Sequence, residues 1–166
     1  MDSDSSLKPI REFHSYRRKL PHFELPGSVY FVTFTTANGF ILSDEAKDIV
    51  FDSIKFGSGM KYELFACVVM GTHAHFILEP LEERTGSFYS LAGIMHGIKS
   101  FSANQIRKLS GKSGHIWLEE SYDRAIRHED EYLEKLNYLV NNPLKAGVVA
   151  KPGDYRWLYV GESNRP

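Results

Sequence analysis

Cysteine is almost missing from this chain: Cys67 is the only one in 166 residues. That excludes an internal disulfide framework and any cysteine-based zinc knuckle. Long apolar runs are missing too, and none approaches the roughly 18 residues a membrane-spanning helix needs. Residues 1–11 hold no apolar stretch of the kind a secretory signal requires, so the expectation is a cytoplasmic protein with no membrane association. Nor is there an excess of one charge: 20 Lys and Arg stand against 21 Asp and Glu, a formal net charge of −1. A uniformly basic surface is excluded, although local basic patches are not. Internal repeats and low-complexity tracts are absent as well. What is present is ordinary: 42% hydrophobic and 25% charged residues, enough for one folded domain that buries its core without staples.

The charges are unevenly placed. Residues 7–19 carry Lys8, Arg11, Arg17, Arg18 and Lys19 against a single acid, Glu12. Residues 1–27 are broken by Pro9, Pro21 and Pro26 and closed by Gly27, and they read as a flexible arm. Residues 28–150 carry the periodic pattern of a folded domain, and 151–166 read as a tail. Ser28 to Thr36 is rich in β-branched and aromatic residues and predicts a strand. Asn38-Gly39 is a turn signal. Ser43 is placed to cap a helix over Asp44 to Phe56 whose first turn is acidic. Met60 to Met70 and His73 to Glu79 predict a hairpin, and Ser87 to Leu109 a long helix. His115 to Leu118 and part of Ser121 to Arg127 together read as a fourth strand. Glu129 to Asn142 is helical in pattern, with Pro143 as its expected stop. The order β-α-β-β-α-β plus one helix is that of a ferredoxin-like α+β fold. Such a fold has an antiparallel sheet with helices on one face and leaves the other face free for a site.

Two features bear chemistry. His73 and His75 are two apart in a predicted strand, so their imidazoles share a face and can converge on one ion. The alternative is a pair of polar residues on the wet side of a sheet. On a helical wheel, Tyr132, Leu133, Leu136, Leu139 and Val140 form the apolar face of the last helix, and Tyr138 points away from it. Asn142 lies one turn on, on the same side as Tyr138. Tyr138 is therefore either a surface tyrosine or a phenol available for reaction. Two imidazoles and a carboxamide can hold a divalent cation, and a phosphodiester bound there would lie beside a nucleophilic phenol.

With these residues in place the chain resembles the single-tyrosine HUH transposases, in particular the REP-associated tyrosine transposases. The resemblance runs from about Arg17 to Trp157. It is carried by RRKLPHFELPGSVYFVTF, by ACVVMGTHAHFILEP around the histidines, by IWLEESYDRAIRHEDEY, and by NYLVNNPLKAGVV, where Tyr138 to Pro143 is followed by Lys145-Ala146-Gly147. It implies His73, His75 and Asn142 as metal ligands, Tyr138 as the nucleophile on an added C-terminal helix, and Mg2+ or Mn2+ as the ion. Two imidazoles suit manganese better, because magnesium favours oxygen shells. It also implies cleavage and rejoining of single-stranded or hairpin-forming DNA through a 5′-phosphotyrosine link. Arg124 and Arg127 are the first candidates for phosphate contacts, followed by Lys99, Arg107, Lys108 and the Arg17-Arg18-Lys19 run. Each has an alternative reading as a solvated charge. The implied assembly is a monomer with a complete site, or a homodimer in which the tyrosine helix serves the partner's histidines. Two rival functions stay open: a non-catalytic single-strand-binding module using Tyr30, Phe31 and Phe34 as stacking rings, and a metal-dependent hydrolase with water as nucleophile.

Overall fold

The computed structural model describes residues 14–17 and 21–162, with side chains from Leu25 onward. Its elements are β1 (His14–Arg17), β2 (Pro21–Glu24), β3 (Tyr30–Thr35), α1 (Asp44–Phe56), β4 (Tyr62–Val69), β5 (His73–Pro80), α2 (Leu91–Ser110), β6 (Tyr122–Ala125), α3 (Glu129–Lys145) and β7 (Leu158–Val160). The expected β-α-β-β-α-β order is therefore present as β3 to β6, followed by the added helix α3. Strands β6-β3-β5-β4-β7 form one five-stranded sheet in that spatial order, and every pairing in it is antiparallel.

The helices form where local chemistry asks for them. Ser43 Oγ accepts from Ala46 N at the start of α1, and Asp44 and Glu45 complement the helix dipole there. Ser90 does the same for α2, accepting from Gly93 N. At the start of α3 the cap is His128, whose Nδ1 accepts from Glu131 N.

Strand alternation divides the residues between two faces. Val32, Phe34, Cys67 and Phe76 share one face and are all buried. Phe34 meets Trp117 edge-on at 4.5 Å, and Trp117 Nε1 donates to Ser102 of α2 at 3.0 Å, so α2 covers this side with α1 packed against it. The opposite face carries Phe31, Thr33, His73, His75 and Ile77, and α3 lies over part of it. There Tyr132 of α3 meets Phe65 of β4 edge-on, and Leu139 is fully buried.

Four expectations are corrected. Pro143 does not stop the last helix, which runs on to Lys145. Proline removes only one donor, and so near the C-terminus the remaining turn closes through Ala146 N to Asn142 O, while Gly147, at φ 71°, ends it. Leu133, expected on the apolar face of that helix, is 46% exposed, because α3 covers only part of the sheet. Part of the segment read as an arm forms the β1–β2 hairpin. The stretch read as a tail supplies β7, which pairs with β4; Tyr155 Oη donates to Val69 O at 2.8 Å and Trp157 Nε1 to Asp48 at 2.9 Å. No described helix is long and apolar enough to cross a membrane.

Candidate active site on the tyrosine-helix face

The site is built on one row of the sheet. Tyr122, Thr33, His75, Val68 and Leu158 stand opposite one another across β6, β3, β5, β4 and β7. His73 is two residues from His75 and on the same face. The imidazole centroids lie 4.8 Å apart. Each ring is held through Nδ1: Thr33 Oγ1 is 2.7 Å from His75 Nδ1, and Thr72 Oγ1 is 3.2 Å from His73 Nδ1. Both Nε2 atoms are thereby left for the site.

From above, α3 brings its own groups down. Asn142 Oδ1 lies 3.4 Å from His73 Nε2. The Tyr138 ring sits 5.2 Å from the His75 ring and 6.0 Å from Phe31, approaching both edge-on, and it remains 43% exposed. Phe31 stacks on His75 at 5.5 Å. Two pairs of residues from two elements of one chain thus meet: His73 and His75 of β5 with Tyr138 and Asn142 of α3.

Electrostatics follow from burial. Burial pushes the His75 imidazole down to about 3, with the neighbouring His73 adding to the effect. Burial also lowers His73, and Asn142 partly offsets that. Both rings are therefore neutral near pH 7, the form that donates a lone pair to a metal.

The donor set fits a divalent cation. His75 Nε2 is buried and finds no hydrogen-bond partner among the described residues. A protonated Nε2 would be an orphaned donor, so the lone-pair tautomer with Nδ1–H donated to Thr33 costs less. Neighbouring ligands of an ion bound at about 2.1 Å stand roughly 3.0–3.4 Å apart, depending on geometry, and the His73–Asn142 separation falls at the upper end. The described residues hold no cluster of three or more His, Cys, Asp and Glu side chains suited to a metal; beside the two imidazoles, the Asn142 amide is the neighbouring oxygen donor.

The cations expected to meet phosphate differ in setting. Arg124, opposite Phe31 in the β6–β3 ladder, is ion-paired with the buried Glu131 of α3. Burial alone would raise the Glu131 carboxyl, but bonds from Arg127 N and Arg124 outweigh it and hold it below its ordinary value. Arg124 thus ties the edge strand to the first turn of α3, and Arg127 is exposed beside it. Lys99 Nζ donates to Leu118 O, Glu119 O and Ser121 Oγ, and Arg107 to Gly114 O and Asn104; both bind loop backbone around α2, away from the histidines. Lys108 is exposed near the end of α2. Arg17 lies in β1, and Arg18 and Lys19 fall outside the described residues. The other expected rings are interior: Tyr30, Phe31 and Phe34 are all buried and present no stacking platform.

Four contributors escape sequence reading. Thr33 and Thr72 anchor the histidines and Phe31 backs His75; Lys145 places its ammonium 5.7 Å from the Tyr138 ring centroid. Only Lys145, two turns from Tyr138 on one helix, leaves a periodic signal.

No family model matches this chain, and no curated protein matches it in sequence. Solved structures do share its fold. A REP-associated tyrosine transposase bound to a REP hairpin superposes with a TM-score of 0.66 over 86% of this chain and 80% of its own, at 23% identity. A candidate transposase from Deinococcus radiodurans covers 69% of this chain and 88% of its own at 18% identity; its TM-score, 0.46, is too low to carry an argument.

Proposed function

We propose that this protein is a single-tyrosine HUH transposase that cuts and rejoins single-stranded, hairpin-forming DNA through a covalent link to Tyr138. One observation carries the reading: two imidazoles, a carboxamide and a half-exposed phenol converge from β5 and α3 in one chain. The shared fold with a transposase bound to a REP hairpin supports it.

His73, His75 and Asn142 would hold Mg2+ or Mn2+. When bound, such an ion offsets negative charge on a phosphate oxygen and leaves coordination positions for the substrate. The remaining chemistry belongs to the chain. Tyr138 Oη attacks phosphorus, an O–P bond forms, and the bond to the 3′ oxygen breaks. The phenolic proton is lost to solvent, and the departing oxygen takes up a proton to become a 3′-hydroxyl. The 5′-phosphotyrosine keeps the phosphodiester's bond energy, so a 3′-hydroxyl can reverse the step without a nucleotide cofactor. Phe31 and His75 fix the phenol from two sides, which limits the orientations it must lose on attack. Lys145 supplies positive charge where an anionic strand and a developing phenolate meet. Because one chain supplies every group, a monomer suffices.

Incubating the protein with Mn2+ and a library of labelled single-stranded hairpin oligonucleotides tests this on a denaturing gel. The expected result is a covalent protein–DNA band that disappears in Tyr138→Phe, while that variant still binds DNA. No band from the unmodified protein, or one that survives the substitution, ends the proposal. Nicked DNA released without a protein link would point instead to a hydrolase.

A further inference from the structure

Tyr122 is an exposed aromatic that the site described above does not use. It lies on β6, an edge of the five-stranded sheet, and is 54% exposed. Its register partner is Thr33, and the partner of Thr33 is His75, so all three side chains stand on the same face in one row. Strands are spaced by about 4.8 Å, which puts Tyr122 about 10 Å from His75. Two residues along β6 on the same face is Arg124, half exposed, its guanidinium anchored by Glu131. An open ring beside an anchored cation, at the edge of a row leading to the paired imidazoles, matches what a single strand requires: a π-face for one base and a charge for its backbone.

We infer that Tyr122 is the floor of a nucleobase subsite, on which an unpaired base of the strand entering the histidine site stacks, with Arg124 facing the adjoining phosphate. This rests on the function proposed above and adds the path of the strand: over β6 and across Thr33 to His75. Tyr30, Phe31 and Phe34 are buried and cannot serve this purpose.

The test measures equilibrium binding in the Tyr138→Phe background, where no covalent step intervenes. The probes are oligo(dT) and a strand of equal length made wholly of abasic sites, which has the same charge and no bases. Tyr122→Ala should weaken oligo(dT) binding by about tenfold, as expected for losing one base–aromatic stack, and should leave abasic-strand binding unchanged. Tyr122→Phe keeps the ring and should bind oligo(dT) within about twofold of the parent. Circular dichroism melts of each variant control for folding. Equal binding by Tyr122→Ala and its parent overturns the subsite, as does an equal loss on the abasic strand or a loss just as large in Tyr122→Phe. If those results coincide with a normal Tyr138 adduct in the otherwise unmodified protein, the transposase reading stands and only the subsite falls. Failure of the unmodified protein to bind any single strand overturns both.

Discussion

On one face of the sheet Val32, Phe34, Cys67 and Phe76 lie buried on the side of α1 and α2; on the other, Thr33, His73 and His75 lie beside α3, alternating with them along the same strands. The first face is apolar at these four positions and is buried by helices that follow their strands closely in sequence. The second places neutral polar groups under a helix that covers it only in part, so Leu133 and Tyr138 remain open. The difference shows how a single sheet separates stability from chemistry. Alternation at period 2 lets one strand supply a core residue and a ligand side by side, and partial cover by α3 keeps the ligands reachable.

If the division is real, damage to one face should leave the other's property intact. The largest effect is expected from Phe76→Ala on the apolar face, at about 3–5 kcal/mol of unfolding free energy. Urea denaturation would measure it, and Mn2+ affinity of the folded fraction should not change. Thr33→Val crosses to the other face at nearly constant volume. It removes the partner of His75 Nδ1, and Mn2+ affinity by calorimetry should fall tenfold to a hundredfold with little loss of stability. Unchanged affinity would remove Thr33 as the positioning residue. Glu131→Gln should cost about 1–2 kcal/mol, because it weakens charge-assisted bonds to Arg124 and to Arg127 N that lock α3 onto β6. An unaltered denaturation midpoint would show that α3 is held by its apolar contacts alone.

A separate effect, confined to acid conditions, is on the pH dependence of stability. His75 has a folded value near 3, far below the ordinary 6.5 it regains on unfolding. The unfolded chain therefore takes up a proton that the folded one refuses. The stability linked to His75 is whole above about pH 6.5 and drains away as pH falls toward 3, by at most about 1.4 kcal/mol per pH unit. Metal-free His75→Ala should show a flatter stability–pH curve across that window; an identical slope would mean that other groups dominate.

Much of the site was legible before any coordinates. The two-residue spacing of His73 and His75 puts their rings together wherever that strand lies, and the wheel places Tyr138 and Asn142 on one side of their helix, because both periods are local. The α+β order was legible for the same reason. The β1–β2 hairpin was not, since Pro21 within it and Pro9 and Pro26 on either side read as breakers, and neither was the extension of α3 past Pro143, since proline near a helix end forfeits only one bond.

Sequence alone determined which residues could act together within one element: imidazole with imidazole, phenol with amide. Only the tertiary structure decided that these two pairs meet, that Thr33 holds His75 and Tyr122 shares their row, and that Lys99 and Arg107 bind loop carbonyls near α2. The reason is that periodicity is a property of neighbouring residues, whereas strand register and helix docking are set by contacts between segments far apart in the chain, which no local pattern encodes.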